Sequence, residues 1–139
     1  MGVTRASDDV GGFVAIEWVA AVAMLLLPMV VLVGSMPGWV ERRHAATVAA
    51  REAAREIAAA WPNANPQAAV LIATDVAADH GIAASDIEVH VPAVGEARGD
   101  EVEVDVVVTM PAIGITGMSV GSWHYTARAV RRIDDYRSR

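Results

Sequence analysis

The chain has 139 residues, is 54% hydrophobic, contains no cysteine and carries a net charge of −6. That length admits one small domain plus a membrane segment. The missing cysteine excludes a disulfide framework, a lipoprotein anchor and thiolate metal sites, and the acidic balance argues against a phosphate-binding face.

All eleven basic residues are arginine. With abundant Ala and Val, that usage points to GC-rich coding rather than to a nucleic-acid surface. Charge is unevenly spread, since between Phe13 and Val40 the only charged residue is Glu17. Phe13 to Val33 covers 21 residues. At 1.5 Å per residue it extends about 31 Å, close to the thickness of a hydrocarbon core. A cleaved secretory signal fits poorly. The segment before it is net acidic, with Arg5 against Asp8 and Asp9, and the apolar run exceeds the usual core of about 7–15 residues. A membrane-spanning helix is therefore expected. Pro28 lies inside it and is tolerated there with a kink. Gly34-Ser35-Met36-Pro37-Gly38 is expected to break the helix at the exit.

Glu17 is costly in this setting, on the order of 3 kcal/mol if ionised at mid-membrane. One reading is interfacial: it sits near the helix end, reaches for water and favours the positive end of the helix dipole. The sharper reading starts from Gly12. A cut between Gly12 and Phe13 creates an ammonium four residues before Glu17, about 6 Å of helical rise away. The carboxylate then has a partner in its own amine or in that of an adjacent helix, where neither charge has water to turn to.

Gly12, Phe13 at the first mature position and Glu17 at the fifth resemble the site cut by prepilin peptidases in type IV pilin-like proteins. The pair Glu17-Trp18 resembles the Flp/Tad branch. The run from Ala15-Ile16-Glu17-Trp18 to Leu27-Pro28 is similar to that of TadE-like minor pilins, which carry a proline in a comparable apolar stretch. Trp18 stands where Tyr or Phe is usual, and no basic pair flanks Gly12. The resemblance covers about thirty residues. It implies residues 1–12 as a leader, 13–36 as a transmembrane helix and 37–139 as an extracytoplasmic domain, in the cell membrane or a pilus. It also implies a prepilin peptidase, other pilin subunits, Tad assembly proteins and membrane lipid as partners, with Gly12 and Phe13 as the processing site and Glu17 and Trp18 as helix-pairing residues. Arg42 and Arg43 oppose that orientation, because the positive-inside rule alone would leave the following domain in the cytoplasm.

Beyond the span, Trp39 to Trp61 is rich in helix formers. Val40, Val48, Ala53, Ile57 and Trp61 are expected on one face, with Arg51, Glu52, Arg55 and Glu56 on the other and Glu52 and Arg55 spaced as an ion pair. Asn65-Pro66 opens and Gly81 closes a second helix, with Val70, Ala73, Val76 and Ala77 inward. After Gly81 the period becomes two. Ile87, Val89 and Val91 mark one strand, and Val102, Val104, Val106 and Val108 a second, joined through Ala93 to Gly99. A third strand from Ser122 to Ile133 places Trp123, Tyr125, Ala127 and Ala129 inward. It sets Arg128 and Arg132 opposite the acidic row. Met110 to Gly121 is uncharged and glycine-rich, and reads either as a loop over the core or as an exposed contact with neighbouring subunits. The expected fold is α+β: an N-terminal transmembrane helix continued by amphipathic helices, then a small antiparallel sheet of about three strands.

Chemistry is sparse. His44, His80, His90 and His124 lie on different elements without ligand spacing. A phosphate loop is excluded by the absence of lysine, and no serine sits in a nucleophile elbow. No catalytic, metal or cofactor site, no small-molecule substrate and no nucleic-acid partner is expected. The residues leave three structural roles open: a TadE-like minor pilin or pseudopilin, a single-pass anchored binding protein outside any filament, or a conventional type IV or type II secretion pseudopilin.

Overall fold

The structure, a computed structural model, describes residues 9–115 and 118–134. Residues 1–8 of the expected leader and positions 116–117 lie outside that range. In chain order the elements are helix α1 (Asp9–Ala60), helix α2 (Pro66–Asp79), a 3-10 turn (Ala84–Asp86), and strands β1 (Ile87–Ala93), β2 (Glu101–Ile115) and β3 (Met118–Arg132). The strands form one antiparallel sheet in the order β1-β2-β3. The α+β class with a three-stranded sheet is as expected.

The expected break at Gly34 to Gly38 is absent. Helix α1 runs for 52 residues through both Pro28 and Pro37. Each proline removes a single donor, a local loss of one ladder bond. Downstream packing outweighs it, since helical stability in proteins comes mostly from a buried face. Ser35 settles its own hydroxyl by donating from Oγ to the Val31 carbonyl at 2.9 Å.

The buried face of α1 also differs from expectation. Val40 is 64% exposed, and Val48 and Trp61 are half-buried. Ala53 and Ile57 are buried as expected, and Ala45, Ala46, Ala49, Ala50 and Ala54 complete the core face in place of Val40, Val48 and Trp61. Adjacent alanine pairs recurring every four residues bring the α1 backbone close to the sheet. Facing them are Val102, Val104, Val106 and Val108 of β2, all fully buried, with Ala127 and Ala129 of β3. Burying such a valine contributes about 1.5–3 kcal/mol. The small surface of the alanines lets the larger valines fill the interface.

Helix α2 has the expected limits. The Asn65 side chain accepts from the Gln67 amide at 2.9 Å, and Pro66 is the first helical residue. At the other end Gly81 has φ of 72°. Its amide donates to Ala78 and the Ile82 amide to Ala77, a double closure that needs a left-handed residue. Ala73 and Ala77 are buried as expected, joined by Ala69, while Val70 and Val76 are half-buried.

The alternating strands fall where the period placed them. A register shift between His90 and Ala93 accommodates Pro92, which cannot donate to the ladder. In the connecting loop the Asp100 carboxylate accepts from the Glu96 and Ala97 amides at 3.1 and 2.9 Å. Arg128 pairs directly opposite Asp105. Its guanidinium donates to both carboxylate oxygens, at 3.0 and 3.1 Å, and meets Glu103 at 2.8 Å. The hydrogen bond to Asp105, then the charges of Asp105 and Glu103, raise the Arg128 pKa above its ordinary value. Arg132 stands opposite Glu101 in the same register.

Within Met110 to Gly121, the described residues 110–115 and 118–121 are strand rather than loop. They continue the hairpin, with pairing from Met110↔Trp123 to Ile115↔Met118. Its ladder needs backbone groups rather than charged side chains, so a glycine-rich sequence still pairs. Strand β3 therefore starts at Met118, before the expected Ser122. Ala127 and Ala129 are buried and Tyr125 is half-buried, but Trp123 is 42% exposed rather than inward.

Candidate functional site

Two halves of α1 have opposite environments. From Ala45 onward the helix is core; from Ala15 to Gly34 it is exposed, with only Val31 half-buried. Met24 is 83% and Leu25 73% exposed. Such a surface has no favourable contact with water, and among the described residues α1 is the one helix long and apolar enough to cross a membrane.

Glu17 lies on this exposed half with Trp18 beside it, 69% exposed. Among the described residues Glu17 has no hydrogen-bond or ion-pair partner. Gly12 and Phe13 lie one turn earlier in helical backbone; the Phe13 side chain is outside the described part. Two consecutive glycines, Gly11 and Gly12, each weaken the helix by about 1 kcal/mol relative to alanine. The turn before Phe13 is thus intrinsically weak as helix.

Where the exposed half meets the domain, three residues of α1 form a junction. The Trp39 indole Nε1 donates to the Pro111 carbonyl at 2.7 Å. One turn on, Arg42 Nη1 donates to the Thr109 carbonyl at 2.8 Å and to Asp86 Oδ2 at 3.3 Å. The Arg43 guanidinium stacks 4.9 Å from the Tyr125 ring centre. These contacts tie α1 to the β2–β3 hairpin and to the turn before β1. In the sequence Arg42 and Arg43 stand out only as orientation signals. Their fixed roles are not visible in sequence because the partners lie 44 to 82 residues away, and only the folded sheet brings them together.

The histidines are partly gathered: the His44 and His80 rings meet edge to face at 6.1 Å. Among the described residues no group of three or more His, Asp or Glu is placed to hold a metal. The strongest polar constellation, Arg128 with Asp105 and Glu103, is a satisfied cross-strand network on the exposed sheet face.

Fold and site together define a small α+β domain carried on one long helix whose free half is apolar. No family model, no curated protein and no solved structure matches the chain.

Proposed function

We propose that the protein is a membrane-anchored structural subunit whose helix is held in the bilayer by the stretch from Phe13 to Val33. More particularly, it acts as a TadE-like minor pilin or pseudopilin in an Flp/Tad-type assembly system. The observation that carries this reading is Glu17, a lone carboxylate without a partner among the described residues, one turn from Gly12-Phe13 on the exposed apolar half of α1. Such a group costs on the order of 3 kcal/mol in lipid unless it is paired, and removal of residues 1–12 supplies the partner. The weak double-glycine turn gives a membrane peptidase access to the bond after Gly12. The new Phe13 amine, from this chain or a neighbour, then pairs with Glu17 and sets the stagger between packed helices. The α+β domain stands outside the cytoplasm, and the processing site, not the arginine distribution, sets that orientation.

Intact-mass measurement of the membrane-extracted protein from a host carrying a prepilin peptidase tests the first step. The expected product lacks residues 1–12 and begins at Phe13. An uncut chain in that host overturns the pilin reading and leaves an anchored domain outside any filament. The second step is tested with Glu17→Val, which should be cut normally but recovered in sheared filaments or assembly complexes at a much reduced level. Normal incorporation would make Glu17 an interfacial residue only.

A further inference from the structure

The β2–β3 hairpin runs alongside the exposed half of α1 and in the direction of its N-terminus. Contacts fix the level of each part: Arg42 is level with Thr109, Trp39 with Pro111, and Pro28, Val31, Leu32 and Ser35 face Ala112 and Ile113 across an apolar groove of about 680 Å³. From Thr109 to Ile115 the strand advances about 20 Å at 3.3 Å per residue. The same distance along α1 from Arg42 is about 13 residues, which reaches Met29. If the hydrocarbon boundary lies at Val33, the end of β2 sits about 6 Å below it.

The sequence of the hairpin matches that depth. From Val106 to Ala127 it holds no Asp, Glu, Lys or Arg. Val120, opposite Ile113 in the ladder, is 67% exposed, and Ile113 and Trp123 are each 42% exposed. The charged residues stand above this level: Arg42 and Arg43 on α1, Asp86 before β1. Trp39 and Trp123 fall between, at the height where amphipathic rings favour the membrane interface. One boundary between polar and apolar surface therefore crosses α1 and the hairpin at a common height.

We propose that the β2–β3 hairpin is a second membrane-contacting element, seated in the lipid leaflet adjoining the domain beside α1. This rests on α1 spanning the bilayer. The backbone of the inserted part is paired within the hairpin on its inner side, and Trp39 reinforces that anchorage by donating to Pro111. The outer edge of β3 is open in the sheet, so only the end of the hairpin would pass below the boundary, by about 6 Å, with the rest of that edge at the headgroups, where water meets its backbone. The hairpin would hold the domain against the membrane face instead of leaving it to swing on a single helix.

The chain has no native cysteine, so single cysteines report depth directly. Full-length protein is reconstituted in phosphatidylcholine vesicles with an environment-sensitive fluorophore at Val120→Cys, Leu25→Cys or Glu101→Cys. All three positions are exposed, so labelling leaves the core intact. The Leu25 label, about 12 Å below the boundary, should emit at shorter wavelength, lose intensity to lipids spin-labelled deep on the acyl chain and resist aqueous iodide. The Val120 label, close to the boundary, should emit at shorter wavelength than the Glu101 label and lose more intensity to lipids spin-labelled high on the acyl chain than to iodide. The Glu101 label should be quenched by iodide alone. A Val120 label quenched by iodide alone, beside a lipid-quenched Leu25 label, overturns the hairpin proposal while α1 still spans. A Val120 label shielded from both quenchers also overturns it, pointing to a second copy covering the tip. Iodide quenching at both Val120 and Leu25 overturns the spanning helix and the hairpin proposal together.

Discussion

Replacing Arg42 by methionine tests how the helix is fastened to the sheet. The substitution keeps most of the aliphatic stem and removes the guanidinium, so packing changes little. Two interactions are lost. The bond to the Thr109 carbonyl, 2.8 Å long, has a charged donor and belongs to the class worth about 1.5–3 kcal/mol. The contact with Asp86 is longer, at 3.3 Å, with side chains 27% and 35% exposed, and pairs in such positions contribute about 0.2–1 kcal/mol. Partial exposure places the first near its lower limit, so Arg42→Met should cost about 2 kcal/mol in all, with the carbonyl bond the larger part. Urea unfolding of the full chain in non-ionic detergent, followed by near-ultraviolet dichroism of the tryptophans, measures the loss by linear extrapolation. A double-mutant cycle with Asp86→Asn separates the two contributions, and its coupling should be about 0.5 kcal/mol. A total loss below about 0.5 kcal/mol, or a coupling as large as the whole loss, would refute the reasoning.

Val106→Ala removes two methyl groups from the centre of the fully buried valine row and should lower stability by about 2 kcal/mol in the same urea assay. Asn65→Ala, which deprives the Gln67 amide of its acceptor, should cost about 1 kcal/mol. A loss under a few tenths there would mean that water replaces the cap. Arg128→Glu places a third acid beside Asp105 and Glu103, and should lower the thermal midpoint by an amount that shrinks at high salt. An unchanged midpoint would remove the cross-strand pairing from the account of the sheet.

Local signals were readable where a residue type has one physical use. Asn65-Pro66 and Gly81 marked both ends of α2 because capping and a positive φ each demand specific side chains. The valine alternation gave β2, and the acidic row on its other face gave the match to Arg128. What escaped was decided by distant contacts. Gly34, Pro37 and Gly38 carry breaker signals, yet the packing of the following alanines carries the helix through them. Apart from Ala53, those alanines carry a weaker signal than Val40 and Trp61, since periodicity favours bulk while close approach to a sheet favours small residues. The pairing of Met110–Ile115 with Met118–Trp123 was hidden because neither run alternates in polarity. At the candidate site, Gly12, Phe13, Glu17 and Trp18 stood out in sequence through a charge misplaced in an apolar run. Trp39 and Arg42 did not, for their partners become neighbours only when the hairpin folds back along the helix.

The unbroken course of α1 also fixes an angle. Successive residues turn by about 100°, so the 25 positions from Glu17 to Arg42 close nearly seven full turns and leave the two side chains within about 20° in azimuth on a straight helix. The sheet is bolted at Arg42, which means that the direction in which Glu17 points sets the compass bearing of the whole domain. Deleting one residue between Val33 and Trp39 would swing that bearing by about 100° and shorten the reach by about 1.5 Å, leaving both ends chemically unchanged. In any assembly that selects neighbours through Glu17, the outer surface would then face the wrong way.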